Sequence, residues 1–340
     1  MKKRLISILQ YTLFLGGGIF LVWWQLSAMT AEQKVQFKNA LFNANYWLVI
    51  PIVFMNLASH LSRSYRWQLL LEPMGYYPKI KNVFAVTMIG YLANSAVPRL
   101  GEILKCTFLS KYEKIKVDHL IGSIVIERTF DVICFIFFIA LTVVIQINKI
   151  GSFVQQKINE LGGNSSFPFW VKAILGLLFI TLCYIGLKFL SKRYPQNKLL
   201  QKINGFADGL LTGFASIKNL KKRKAFFAHT VFIWSMYLLQ IYIAFYAIEQ
   251  TQHLNLKAAC SVLTISTFAM IITPNGIGLF PLFVKQTLVA YSIGEVYGEA
   301  LGWLIWSVST LIIIVVGLTS LLLLPYINKH KNESSSGDTQ

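Results

Sequence analysis

Long apolar runs separated by short polar stretches set the pattern of the chain. Six of them read as membrane-spanning helices: Leu5 to Leu26, Tyr46 to Leu61, Leu120 to Ile147, Phe169 to Leu190, Phe226 to Ile248 and Ala300 to Leu324. The first follows Met1-Lys2-Lys3-Arg4 and closes on Trp23-Trp24. It exceeds the roughly 7 to 15 apolar residues of a secretion signal and ends in an aromatic belt, so it predicts a retained span. Two further apolar stretches are too short to cross comfortably. Val83 to Val97 stops at Pro98-Arg99-Leu100-Gly101-Glu102. Ala258 to Thr273 stops at Pro274-Asn275-Gly276-Ile277-Gly278, after which Leu279 to Ile293 carries Pro281, Lys285 and Gln286. A 15-residue helix reaches only about 22 Å, against the ~30 Å of a bilayer core. Both stretches are therefore expected to turn back as re-entrant hairpins.

Composition agrees with this class. Hydrophobic residues make up 55% of the 340 residues and charged ones 14%, where a soluble domain has about 25% charged. With a mean hydropathy of +0.56, the apolar residues exceed what one water-soluble core can hold. The expected fold is an all-α polytopic integral membrane protein with six spans and two re-entrant hairpins.

Lys and Arg number 32 against 14 acidic residues, a net charge of +18. In a soluble chain such an excess would point to nucleic acid, but here it orients the spans. With both hairpins re-entrant, 22 Lys and Arg residues fall on the cytoplasmic side and six on the other, the asymmetry of the positive-inside rule. Both termini are then cytoplasmic. The two hairpins enter from opposite faces, as an inverted-topology repeat would require, and broken helices of that kind commonly build transporter sites. Aligning Pro98 with Pro274 brings almost no other identity, so the repeat rests on architecture. Residues 1–331 read as one transmembrane domain. Within it, residues 191–224 form an amphipathic cytoplasmic connector, with Leu199, Ile203, Phe206, Leu210, Phe214 and Ile217 recurring at helical steps. Residues 332–340 are a Ser-rich tail expected to be disordered.

The informative residues are charges at membrane depth, each costing at least ~2.5 kcal/mol unless paired or hydrated. Glu127, Arg128 and Asp131 lie two turns into the third span; Glu127 and Asp131 share a face, and Arg128 can pair with Asp131. Their bland role is an ion pair locking this helix to Arg99 or Lys105. Their sharper role is substrate binding. Arg99 and Glu102 flank the break at Pro98, where freed N–H groups and an arginine fork suit a phosphate, and Asn94 lies one turn before it. Arg63 and Arg66, at the cytoplasmic end of the second span, read as interfacial anchors or as a grip on a lipid phosphate. Pro98, Gly101, Pro274, Gly276 and Gly278 shape the hairpins and carry no chemistry of their own.

Cys106, Cys134, Cys183 and Cys260 stand singly, with no zinc spacing or disulfide framework. No metal or cofactor site is expected, nor any soluble-enzyme signature. No catalytic residue is assigned.

Taken together, Arg66-Trp67, Gly75, Gly90, Asn94, Pro98-Arg99-Leu100-Gly101-Glu102, Glu127-Arg128-x-x-Asp131 and Pro274-x-Gly276-x-Gly278 resemble the lysylphosphatidylglycerol synthase transmembrane-region family, also called the flippase-like domain family. The resemblance covers essentially the whole chain. It implies a protein similar to the lipid-translocating half of the bifunctional lysylphosphatidylglycerol synthases. Their soluble aminoacyl-transferase domain is not expected here, because the chain ends at Gln340 after the membrane part. Two departures stand out: Phe280-Pro281 replaces a glutamate that family members often carry after the second break, and Lys105 replaces the usual arginine.

The function expected is transport of an anionic or headgroup-modified phospholipid, with membrane lipids as partners and no nucleic acid. Two alternatives remain open at this stage. One is a membrane-embedded transferase acting on a lipid phosphate. The other is a non-catalytic partner of a lipid or envelope biosynthetic enzyme, and a homo-oligomer is also compatible with the sequence.

Overall fold

The computed structural model describes residues 16–146 and 220–329, which are helical with no strand among them. They fall into two compact units. One comprises Met1–Glu127 with Asn219–Gln340, the other Arg128–Lys218. Of the second unit only residues 128–146 are described. The expected span Phe169 to Leu190, most of the connector 191–224 and the tail 332–340 lie outside the described residues.

The first unit opens with α1 (residues 16–28) and α2 (Ala31–Phe42). Thr30 starts α2 with a reciprocal cap: its Oγ1 accepts the Gln33 N–H at 3.2 Å, and the Gln33 side chain accepts the Thr30 N–H at 2.9 Å. The chain then bends by 59° over Asn43–Asn45 into the run that holds α3 (Val49–Leu71). The span expected to close at Leu61 thus continues for almost three more turns. Arg63 and Arg66 end a hydropathy window, but their buried partners let the helix carry them on.

Next come α4 (Ile80–Ala96) and α5 (Leu100–Glu113), separated at Val97–Arg99. Pro98 ends α4, and Arg99 takes a left-handed φ of +68°, which reverses the chain in two residues. The helices run antiparallel: Asn94 meets Gly101, Gly90 meets Lys105 and Asn82 meets Glu113. Glycine is required at the crossing, because a Cβ on Gly101 would run into the Gly90 carbonyl oxygen and one on Gly90 would lie 2.6 Å from the Lys105 side chain. Then follow α6 (Val117–Ile145), which continues into the second unit, and α7 (Arg223–Ala244).

A second helix pair repeats the device. α8 (Leu256–Ile272) and α9 (Leu279–Val289) are joined through Pro274, with Asn275, Gly276 and Gly278 all at positive φ. Ser261 and Tyr291 hydrogen bond at 3.0 Å at the open end. α10 (Glu295–Ile327) follows, and α9 packs on it through Gly298 and Gly302, whose spacing allows close helix approach. The element order is therefore long helix, helical hairpin, long helix in each half: α3, α4–α5, α6, then α7, α8–α9, α10.

Within the first unit α3 packs on α7, and α10 on α4. Among the described residues, three helical segments, Val117–Ile145, Arg223–Ala247 and Glu295–Ile327, are long and apolar enough to cross a membrane. The bent pair Ala31–Phe42 and Tyr46–Met74 makes a fourth if counted as one span. Leu311, Val315, Leu318 and Leu322 leave a broad apolar face of α10 exposed, which suits lipid.

Candidate functional site: a buried cation cluster on Glu127

Glu127 on α6 is the meeting point of three cations from two other helices. Arg63 Nη1 donates to its Oε1 at 3.1 Å, Arg66 Nη2 lies 3.7 Å from the same oxygen, and Lys105 Nζ donates to Oε2 at 3.4 Å. Burial is nearly complete, with Arg66 at 0%, Glu127 at 2%, Lys105 at 5% and Arg63 at 6% relative exposure. An ion pair so far from water persists only when geometry and further hydrogen bonds offset desolvation. Those bonds are present. Arg63 Nη2 donates to Tyr237 Oη at 3.1 Å and Arg66 Nη1 to Thr230 Oγ1 at 3.3 Å, both on α7. Lys105 Nζ sits 4.2 Å from the centre of the Trp67 ring, a cation–π contact. The Trp67 indole N–H is fixed on Ser123 Oγ at 2.8 Å, which holds the ring in place.

The spacing of α3 explains the convergence. Arg63 and Arg66 are one turn apart and Trp67 follows, so all three face the seam shared with α6 and α7. The glycine crossing of the first hairpin brings Lys105 down onto that seam. Chemically, two guanidinium forks and an ammonium surround carboxylate oxygens, a donor set that matches a phosphate equally well.

The other residues singled out from the sequence are distributed differently. Asn94 Oδ1 accepts the Gly101 N–H at 2.8 Å, capping the first turn of α5, and its Nδ2 lies 3.4 Å from Glu102 Oε1. Arg99 is exposed at the hairpin tip. Lys105, rather than Arg99, is the hairpin cation that reaches Glu127. Arg128 and Asp131 continue α6 in the second unit. Arg63 and Arg66 are buried in protein. Pro274, Gly276 and Gly278 form the second break, where the Asn275 carbonyl accepts the Trp306 indole N–H at 2.8 Å.

Several partners carry no individual signal in the sequence: Ser123, Thr230 and Tyr237 are ordinary residues until the helices meet. A periodic signal did exist, since Asn56, His60, Arg63 and Trp67 recur at steps of four, three and four along α3. A second buried pair parallels the first: Lys285 Nζ of α9 donates to Glu299 Oε2 of α10 at 2.9 Å. Glu299, one residue before the expected span Ala300 to Leu324, lies inside α10 and is buried, because Lys285 gives its carboxylate a partner. Among the described residues, no three His, Cys, Asp or Glu side chains group as a metal site.

A helical bundle with several apolar spans and charges buried among them defines a polytopic membrane protein. The chain belongs to the lysylphosphatidylglycerol synthase TM region family, whose sequence profile matches residues 7–326. It is 24% identical over 307 residues to a UPF0104 membrane protein of Methanocaldococcus jannaschii, covering 84% of this chain and 87% of that one. No solved structure matches.

Proposed function

We propose that this protein is a lipid transporter of the flippase type, moving an anionic or headgroup-modified phospholipid across the cytoplasmic membrane. The observation that carries the reading is the convergence of Arg63, Arg66 and Lys105 on Glu127 inside an apolar helical bundle. A phosphodiester, like the carboxylate, offers a guanidinium fork two anionic acceptor oxygens, so an incoming headgroup can exchange with Glu127 while its acyl chains stay in lipid. Asn94, Arg99 and Glu102 of the first hairpin extend this polar route, and Arg128 and Asp131 are candidate lipid contacts on α6.

In proteoliposomes, Arg66→Gln is expected to slow translocation of fluorescent phosphatidylglycerol roughly tenfold or more, the worth of one charge-assisted hydrogen bond. Glu102→Gln and Asp131→Asn are expected to slow it less. Wild-type rates in all three variants remove the site assignment.

The same reading takes the chain as six spans with two re-entrant hairpins and cytoplasmic termini. The matching order of elements in the two halves supports it, as does the lysine on the second arm of each hairpin that pairs with a glutamate on the following long helix. Single cysteines placed at Lys114 and Glu295 should label from opposite sides of sealed vesicles. Labelling from one side would refute the inverted arrangement.

A further inference from the structure

The polar stripe on α3 extends beyond the cluster. Asn56, His60, Arg63 and Trp67 lie on one face of the helix and are all buried, a line of about 16 Å at 1.5 Å per residue. Three of the four are held by side chains of other helices. Asn56 Nδ2 donates to Gln240 Oε1 at 3.1 Å, Arg63 bonds Glu127 and Tyr237, and Trp67 bonds Ser123. His60 differs. It is 6% exposed, and neither ring nitrogen has a hydrogen-bond partner. Its ring lies against Tyr91 of α4, with centroids 4.8 Å apart. One turn before Tyr91, the Thr87 hydroxyl is also buried without a partner. Buried polar groups are normally satisfied, and an imidazole left over beside Asn56, whose Oδ1 is likewise buried without a partner, marks a place built for another polar group.

We propose that His60 is a second contact for the lipid phosphate, one turn along α3 from the Arg63–Arg66–Lys105–Glu127 cluster. Its neutral ring donates one N–H to a phosphate oxygen that Arg63 also grips. This rests on the reading of the cluster as a headgroup site. Arg63, three residues on, sets the sign of the ligand: with Arg66 and Lys105 near it, the stripe repels a cation and attracts an anion. Asn56 and Gln240, on the other side of His60, add neutral amides for the hydroxyls of a headgroup. A phosphate passed from Arg63 to His60 advances along one helix face, which is the motion a flippase requires.

The test uses the full chain with isotope-labelled histidine in maltoside micelles, which contain no phosphate. The probes are dioctanoyl phosphatidylglycerol, dioctanoylglycerol and inorganic phosphate. The phosphatidylglycerol should shift the His60 ring nitrogen resonances, assigned by their loss in His60→Gln, and dioctanoylglycerol should not. His60→Leu should weaken phosphatidylglycerol binding roughly tenfold, and His60→Gln, which keeps a donor, should weaken it less. Inorganic phosphate shifting His60 as strongly as the lipid would overturn the lipid assignment in favour of the free anion. Wild-type affinity in His60→Leu with weakened binding in Arg63→Gln would overturn the role of His60 and leave the cluster reading standing. Wild-type affinity in both would bring down the cluster reading itself. If His60→Leu does not fold, the wild-type resonances decide, and their failure to move with the lipid overturns the proposal.

Discussion

Glu127→Ala is expected to destabilise the protein by about 3–5 kcal/mol and to abolish lipid translocation, because it leaves Arg63, Arg66 and Lys105 buried without the carboxylate they share. Thermal unfolding in micelles, followed by tryptophan fluorescence, measures the first effect and vesicle translocation the second. The two effects can be separated. Replacing all four members together with Met or Leu removes the uncompensated charge along with the pair, so stability should largely return. Translocation should not return, since no phosphate ligand remains. A quadruple variant that transports at the wild-type rate would show that the cluster only holds helices together. A Glu127→Ala protein as stable as wild type would contradict the packing argument.

Gly101→Val is expected to have the next largest effect, through shape instead of charge. The new Cβ would collide with the Gly90 carbonyl oxygen and with the Asn94 side chain, whose Nδ2 would lie 2.7 Å from it. The helices of the first hairpin would have to separate. That breaks the Gly101 N–H bond to Asn94 and lifts Lys105 from Glu127 and Trp67. Overpacking of this kind costs about 1–3 kcal/mol, and here it also dismantles one arm of the site. Gly122→Val makes a fair comparison, because nothing lies within 4 Å of a Cβ there, and it should be tolerated. Equal unfolding temperatures for the two variants would mean that the hairpin crossing does not constrain the fold.

Much of the helix layout is legible in the sequence because its signals are local. The break after Ala96 follows from Pro98, and that after Ile272 from Pro274 with its glycines; both were placed within one or two residues. Where reading and structure diverge, a buried charge is responsible. α3 runs past Leu61 and α10 starts before Ala300, since a hydropathy window ends at Arg63 and at Glu299 without regard to partners elsewhere in the chain. A charge whose counter-ion is distant in sequence looks like a helix end.

Local pattern is enough for the class: a family of helical membrane proteins, with charges inside apolar runs and chain reversals at Pro98 and Pro274. Periodicity, proline chemistry and the cost of charge in lipid act over a few residues, so one strand of text suffices to read them. Which cations meet Glu127 was decided only by tertiary structure. Arg63 is 64 residues away and Lys105 22, and their meeting depends on the packing of α3 against α7 and on the glycine crossing of the first hairpin. Coulomb attraction in a low-dielectric interior is strong enough to fix such a cluster once the helices are in place, but it leaves no periodic trace by which sequence could name the partners.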